Sequence, residues 1–342
     1  MKAFKMMSIA FMSAMLCFGL SACSSNDGVT EPENIPAKEY IVSIGFKGEI
    51  TISEAPLSRA TGNDLYGIQV FSCPKNETAD NYTAYAYGLF DDLSAMTIKL
   101  IDGYKYKFVA TMVVDGKANI YQHGKEKYGY PFYLYSTAAT LNNKFEFSNI
   151  ESFSGFIEYG QAEIKGLNNS RLYYGIPNLD RYYGECIDYI PSENGNVSID
   201  MLRTVFGLKV IANNLTEGTI KIAMTDAPEM TITHSVTEVE DIFTFCYVDK
   251  AYSNENYSES ISINFTWTKA DGATIPLGTH NVTFKRNKQT IVTIEMDKAI
   301  NDASSNQTLS LSLESNNMAE GDKYTIEGEK ITNNTVAPGT GE

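Results

Sequence analysis

The stretch "YIVSIGFKGEITI", residues 40–52, decides the fold class. Apolar and polar side chains alternate along it. The apolar set that shares one face is Tyr40, Val42, Ile44, Phe46, Ile50 and Ile52. A period of two residues over this length predicts a β-strand with one buried face.

The same alternation recurs along the chain, for example in "SISINFTWT" (260–268) and "TLSLSLE" (308–314). Helical periodicity is nowhere sustained, so we expect an all-β protein, and short strands between turn signals favour β-sandwiches. A length of 342 residues suits two domains. The composition changes at "PSENGN" (191–196), which predicts an N-terminal domain over 40–192 and a C-terminal domain over 193–342.

Composition also limits the function. The formal charge of −15 argues against a nucleic-acid ligand, because an acidic surface repels phosphate. No phosphate loop, nucleophile elbow or metal-ligand spacing is found, so we expect no enzyme, no cofactor and no metal site. The residues considered for such chemistry are His123, His234, His280, Cys73, Cys186 and Cys246.

The first 22 residues have the pattern of a signal peptide, with a basic start and an apolar run of about signal-peptide length. "LSAC", ending at Cys23, resembles the lipobox of bacterial lipoproteins. We therefore expect cleavage before Cys23, lipid on its thiol, and anchoring in the outer membrane. Residues 23–39 would then form a polar tether.

Four features in order resemble the fimbrillin family of Bacteroidales, the subunits of type V pili. They are the lipobox "LSAC", the strand followed by "LSRATGNDLYGIQVF", the segment "IDMLRTVFGLKV", and "FKRNKQTIVTIEM" followed by "TLSLSLE". Together they span nearly the whole chain.

The resemblance implies two Greek-key, transthyretin-like β-sandwich domains in tandem. It also implies that an Arg-specific protease cuts after Arg59, so that the mature subunit begins at Ala60 in a surface fimbria. The removed pro-strand, 40–59, would be replaced by a strand from another subunit or another copy. Its core residues are Val42, Ile44, Phe46, Ile50 and Ile52; the candidate donor residues are Leu309, Leu311, Leu313, Tyr324 and Ile326. The extreme C-terminus departs from this pattern, since no strongly apolar strand occurs there.

Two other functions stay open at this point. The tyrosine-rich segment 121–190 suits a glycan-binding outer-membrane lipoprotein of a nutrient-uptake system, because tyrosine faces can stack on sugars. The ordinary interpretation is that these tyrosines line strands and loops. A surface hydrolase is the third candidate, but the sequence contains no recognisable catalytic constellation. A fimbrial subunit could also bind ligands on host or bacterial surfaces.

Overall fold

The computed structural model describes residues 37–48, 63–77, 81–134, 137–149, 153, 157–168, 171–296, 310–316, 321–327 and 330–334. In the last three ranges the backbone is described without the side chains. The predicted lipid site Cys23, the predicted cut at Arg59 and Ala60, and Ile50, Ile52 and Leu309 lie outside the described residues.

The described chain is almost entirely β-structure, which confirms the predicted all-β fold. The strands are β1 (Glu39–Gly48), β2 (Leu65–Pro74), β3 (Thr83–Phe90), β4 (Thr97–Ile101), β5 (Tyr104–Val113), β6 (Lys127–Leu134), β7 (Thr137–Thr140), β8 (Phe145–Phe147), β9 (Ala162–Glu163), β10 (Leu172–Tyr173), β11 (Arg181–Tyr189), β12 (Asn196–Arg203), β13 (Val205–Asn213), β14 (Thr219–Met224), β15 (Met230–Thr233), β16 (Glu238–Thr244), β17 (Ser258–Thr268), β18 (Thr274–Lys285), β19 (Gln289–Glu295), β20 (Ser310–Asn316), β21 (Gly321–Glu327) and β22 (Lys330–Asn334). A 3₁₀ turn (Leu93–Ala95) and the short helices α1 (Gly116–Asn119) and α2 (Val248–Ser253) complete it. Within these ranges no helix has the length and apolar composition needed to cross a membrane.

The first part of the chain forms one eight-stranded sheet in the order β4-β1-β12-β11-β5-β2-β3-β8. Strands from both halves of this order contribute to one core, so the sheet curls over itself as a sandwich. The residues of this core include Val42, Ile44, Ile68, Val70, Phe90, Ile98, Leu100, Phe108, Val197 and Ile199. Burial of these alternating side chains is the main favourable term in forming the sheet.

A layer of short strands and loops covers the second face of β2 and β5. The segment from α1 to β10 contributes Ile120, Tyr128, Phe132, Ile164 and Tyr173, which pack against Leu65, Phe71, Val109 and Val113 of the sheet. Because both of its faces are covered, β2 is buried at nine of its ten positions. The tyrosine-rich segment up to β10 is thus an outer layer of the first half, whereas its last part, β11, belongs to the sheet.

The second part is a separate sandwich of a six-stranded sheet, β16-β13-β19-β20-β21-β22, and a four-stranded sheet, β15-β14-β17-β18. Its core includes the alternating positions noted in the sequence: Phe206, Leu208 and Val210; Ile261, Ile263, Phe265 and Trp267; and Val292 and Ile294. Their burial follows directly from the period of two.

The chain passes from one sandwich to the other at Thr204, between β12 and β13. Arg203 makes a two-point ion pair with Asp180, with both N···O distances at 2.8 Å. The Thr204 N–H donates to the Arg181 carbonyl, and the Phe245 N–H donates to the Thr204 carbonyl. Strand β12 follows "PSENGN" in the sequence but is part of the eight-stranded sheet of the first half. The division into domains at 192/193 stays a prediction.

Candidate functional site: the groove that holds strand β1

Strand β1, the first part of the predicted pro-strand, lies between two other strands. It pairs antiparallel with β4 at five positions and parallel with β12 at six. Both backbone edges of β1 are therefore hydrogen-bonded. We call the space between β4 and β12 that β1 fills the β1 groove.

The side chains of β1 follow the predicted alternation. Val42 and Ile44 are buried in the core of the first sandwich, and Tyr40 and Phe46 pack against that core while partly exposed. The Phe46 ring stacks on Tyr66 of β2, with centroids 5.6 Å apart and an interplanar angle of 11°. Ile41, on the other face, is 73% exposed. The apolar face of β1 thus closes one side of the core.

Polar contacts at the rim of the groove add little to its stability. Ser43 Oγ donates to Asn196 Oδ1 at 3.1 Å. Lys47 pairs with Asp200 at 3.1 Å, and Lys99 of β4 pairs with Glu39 at 2.8 Å. Each of these charged side chains is about half exposed, and such exposed pairs typically contribute less than about 1 kcal/mol. Apolar burial and backbone pairing therefore hold β1.

Gly48 ends the strand where its backbone comes close to β12. Its φ is +96°, and a Cβ at this position would lie 2.7 Å from the Met201 carbonyl oxygen. A side chain here would meet both a disfavoured backbone conformation and a steric clash.

Tyr66, which faces Phe46 in this core, stays neutral under all physiological conditions. Burial, with a smaller contribution from the nearby Asp64 carboxylate, raises the pKa of Tyr66 to about 12. The Asp64 carboxylate accepts a hydrogen bond from the Asp115 N–H at 2.9 Å, which fixes the start of β2. The contact surface for β1 is therefore uncharged at its centre.

The predicted cut site lies in the connection between β1 and β2. Sixteen residues separate Gly48 from Leu65, and Arg59 and Ala60 are among them. In the sheet, β12, β11 and β5 lie between β1 and β2. Since β1 and β2 are not hydrogen-bonded neighbours, a cut between them interrupts none of the described strand pairings.

Four of the five candidate donor residues fall in the C-terminal strands, and Leu309 lies outside the described residues. Leu311 and Leu313 are in β20, which pairs with β19 on one side and β21 on the other. Tyr324 and Ile326 are in β21, opposite Leu313 and Leu311 respectively. The two candidate donor segments are therefore partners of each other in this chain.

The cysteines of the described chain show no sign of activation. Cys73, Cys186 and Cys246 are free thiols. Burial is the main cause that raises the pKa of each one, which keeps them protonated near neutral pH. Within the described ranges, no group of three or more His, Cys, Asp or Glu side chains is placed to hold a metal ion.

Comparison with known proteins gives structural neighbours only. No family model matches the sequence, and no curated protein matches it. The fimbrial anchor protein Mfa2 from Porphyromonas gingivalis is 10% identical, with a TM-score of 0.38, over 86% of this chain and 99% of that one. The tip fimbrial protein Mfa3 from the same organism, with a C-terminal truncation, is 8% identical, with a TM-score of 0.33, over 81% and 99%. A candidate adhesin from Bacteroides ovatus is 12% identical, with a TM-score of 0.34, over 77% and 88%.

All three TM-scores lie below 0.5 and all three identities are 12% or less. At such low identities and scores, the similarity carries no information on what this chain binds.

The sequence does not identify the residues of β12, which border the β1 groove on the side opposite β4. Val197, Ile199 and Met201 of β12 are buried in the same core as Val42 and Ile44. Their alternation in "NVSIDM" indicates a strand, but alternation does not say which strand lies beside it.

Proposed function

We propose that this chain is a structural or adhesive subunit of a cell-surface fimbria that assembles by strand exchange. The N-terminal segment through Arg59 is removed, β1 leaves its groove, and a strand of another subunit or another copy takes its place. One observation carries the proposal: the strand nearest the N-terminus fills an inner position of a sheet and closes its core, with β4 and β12 on either side.

The precursor is held at the outer membrane through lipid on Cys23. Removal of the N-terminal segment by an Arg-specific protease frees the subunit from this anchor. Both features come from the sequence pattern, since Cys23 and Arg59 lie outside the described residues. The partners are thus other fimbrial subunits, the protease and the membrane, and the chain catalyses no reaction.

The groove sets the requirements for an incoming strand. It must run parallel to β12 and antiparallel to β4, as β1 does. It must also present apolar side chains at alternate positions, which is the usual mode of strand addition. "TLSLSLE", with Leu309, Leu311 and Leu313, meets the second requirement; "YTIE", with Tyr324 and Ile326, meets it over a shorter length.

An empty groove would be unstable. Full exposure of Val42 and Ile44 alone forfeits roughly 3–6 kcal/mol of apolar burial. The unpaired edges of β4 and β12 would add the cost of a new open strand edge. A cut by itself therefore leaves β1 in place for a time, and a competing strand drives its release.

The five arginines of the chain allow a direct test of the cut. Arg181 and Arg286 are buried, and Arg203 is ion-paired with Asp180, whereas Arg171 is exposed. We expect an Arg-specific protease to release a mature chain beginning at Ala60 from the wild-type precursor and from Arg171→Lys. Arg59→Lys should stay intact at this point. N-terminal sequencing and native electrophoresis measure both the cut and the multimers that follow. Cleavage that spares Arg59, or a cut protein that never forms multimers, contradicts the proposal.

A further inference from the structure

Strand β4 borders the β1 groove and is the last strand of the eight-stranded sheet. Within the described ranges, its only strand partner is β1. Departure of β1 would therefore remove all of the described strand pairing of β4. If β4 then moved away, the groove would keep only the edge of β12, and an incoming strand would have one partner in place of two.

The backbone of β4 turns alternate residues toward β1. The Ile44 N–H donates to the carbonyl of Met96, the residue just before β4, at 2.9 Å. The direction of the backbone hydrogen bonds alternates along an antiparallel strand. Lys99 and Ile101, three and five positions after Met96, therefore turn their backbone groups away from β1, toward the outer edge of the sheet.

Two tyrosine hydroxyls hydrogen-bond this outer edge. The Tyr85 hydroxyl donates to the Lys99 carbonyl at 2.8 Å. The Tyr106 hydroxyl accepts from the Ile101 N–H at 2.8 Å and donates to the Ile101 carbonyl at 3.1 Å. On the side away from β1, β4 is thus held by these side chains and not by another described strand.

Both tyrosines belong to strands that do not pair with β1. Tyr85 is in β3 and Tyr106 is in β5. Their rings meet edge to face, with centroids 5.2 Å apart, and Tyr85 makes a second edge-to-face contact with Phe147 of β8 at 5.3 Å. Burial raises the pKa of both tyrosines, so both hydroxyls stay protonated and able to donate at neutral pH. Departure of β1 leaves this support in place.

The apolar contacts of β4, in contrast, depend partly on β1. Ile98 and Leu100 are buried in the same core as Val42 and Ile44 of β1. When the two β1 side chains leave, the core beside β4 loses part of its apolar cover. The hydrogen bonds to the tyrosine hydroxyls are on the opposite edge of β4 and are not lost with β1.

We propose that Tyr85 and Tyr106 are positioning residues that hold β4 in place while the β1 groove is empty. This inference rests on the proposed function, because it concerns the state between the release of β1 and the entry of the next strand. When the wall of the groove is already ordered, only the incoming strand loses conformational entropy on binding. The two hydroxyls thus keep the groove ready for a strand from another subunit.

The test measures the capture of a labelled peptide with the sequence of residues 38–48 after the full chain has been cut at Arg59. This peptide probes the groove without a donor strand from another subunit. Fluorescence anisotropy gives its dissociation constant for wild type, Tyr85→Phe, Tyr106→Phe and the double variant. Tyr87→Phe is the matched control, because this hydroxyl of β3 donates to Glu146 of β8 at 2.5 Å and not to β4. Urea unfolding of each uncut chain measures its stability separately.

We expect the cut wild-type chain to capture the peptide. Tyr85→Phe and Tyr106→Phe keep the rings and should each weaken capture about tenfold, whereas Tyr87→Phe should not. Hydroxyls that stabilised the empty and the filled groove equally would lower the stability of the uncut chain and leave the peptide affinity unchanged.

Wild-type affinity in Tyr85→Phe and in the double variant therefore overturns the proposal, as does a cut wild-type chain that captures no peptide. If Tyr106→Phe fails to fold, Tyr85→Phe decides the question, since Tyr85 is only partly buried.

Failure of the proposed function gives a different result. A cut wild-type chain that captures the peptide but forms no multimers contradicts assembly by strand exchange, while the effect of the two tyrosines on capture still tests the present inference. If Arg59 is not cut, the proposed function fails. The same capture assay is then run on a chain with a thrombin recognition sequence in place of residues 55–60.

Discussion

Ile44 of β1 lies opposite Val197 of β12 in a parallel pair of strands, and both side chains are buried in one core. The two residues are 153 positions apart in the sequence. The N-terminal strand is thus held by contacts with a distant part of the chain and shares no strand pairing with β2, its nearest neighbour in sequence. This is the arrangement that lets a separate strand occupy the same position.

Truncation of the buried face of β1 should destabilise the protein. Ile44→Ala is expected to lower the free energy of unfolding by about 2–5 kcal/mol, because it removes buried methyl groups and leaves a cavity. Ile41→Ala, on the exposed face of the same strand, should change it by less than about 0.5 kcal/mol. Urea unfolding measures the free energy of unfolding of both variants. Equal effects of the two substitutions would show that β1 does not close the core.

A methyl group on Gly129 should displace the Glu163 carboxylate from its hydrogen-bond partners. Gly129→Ala forces the Glu163 carboxylate away from His123 and the Tyr130 N–H, because the new Cβ would lie 1.7 Å from Oε2. The expected cost is about 1–3 kcal/mol, because the carboxylate loses its contacts with His123 and the Tyr130 N–H. Gly45→Ala is the matched control, since no atom lies within 4 Å of the Cβ position there. Urea unfolding measures both variants, and a Gly129→Ala chain with wild-type stability would contradict the described position of Glu163.

Arg181 should stabilise the folded protein, because its side chain holds the backbone at Ile157 and Tyr159. Its buried guanidinium donates to Thr111 Oγ1 at 2.9 Å, to the Tyr159 carbonyl at 2.7 Å and to the Ile157 carbonyl at 2.5 Å. Burial lowers the pKa of Arg181 to about 9, so it is still charged at neutral pH. Arg181→Met should cost roughly 2–5 kcal/mol, because it leaves buried acceptors unpaired. Arg171→Met, at an exposed arginine, serves as the control in the same denaturation assay; a similar small effect at both positions argues against this role.

The Asp241 carboxyl gives a pH-dependent prediction. Burial raises its pKa above the usual 3.8, although hydrogen bonds from the Ile242 N–H and Asn178 lower it. A raised pKa in the folded state means that folding binds a proton, so the stabilisation is present below pH 3.8 and is lost as pH rises through the folded pKa. The free energy of unfolding of Asp241→Asn relative to wild type should therefore be higher at pH 7 than at pH 3, as measured by urea unfolding at both pH values.

The substitution also has a cost that does not depend on pH. The Asp241 carboxylate accepts hydrogen bonds on both oxygens, from the Asn178 amide and from the Ile242 N–H. An Asn side chain keeps only one acceptor oxygen, so it loses one of these bonds, at a typical cost of about 1 kcal/mol. Glu240→Gln removes the same charge from an exposed neighbour and should have little effect at either pH. If both variants show the same change relative to wild type between pH 3 and pH 7, the effect comes from net charge and not from burial of Asp241.

The strand faces were predictable from the sequence, whereas their partners were not. Val42, Ile44, Ile263 and Phe265 are buried as their alternation predicts. The parallel pairing of β1 with β12 was not predictable, because a period of two fixes the face of a strand and not the neighbour beside it. For the same reason, the sequence does not say with which sheet the β12 segment, after "PSENGN", pairs.

The tyrosine-rich segment could not be assigned from the sequence for a different reason. Several of its strands are short, down to two residues in β9 and β10, so alternation has no room to appear in them. Whether a tyrosine there is buried, like Tyr128, or exposed, like Tyr174, depends on the sheet below and on the irregular pairing in β6. In β6 the four residues between Tyr128 and Tyr133 have no counterpart in β7. The pairing of His123 with Glu163, 40 residues apart, likewise arises from the backbone contacts of Tyr121.

A disulfide between β1 and β12 tests strand exchange most directly. Ser43 and Asn196 are exposed register partners whose side chains touch at 3.1 Å. Adjacent strands lie about 4.8 Å apart, a spacing that a disulfide can bridge. Ser43→Cys with Asn196→Cys, in a background with Cys186→Ser and Cys246→Ser, locks β1 into its groove when oxidised. After cleavage at Arg59, we expect the oxidised protein to stay monomeric on native electrophoresis, and the reduced protein to form the same multimers as the background chain without the lock. Multimers formed equally well by the oxidised, locked protein would show that β1 stays in place during assembly, which contradicts the account.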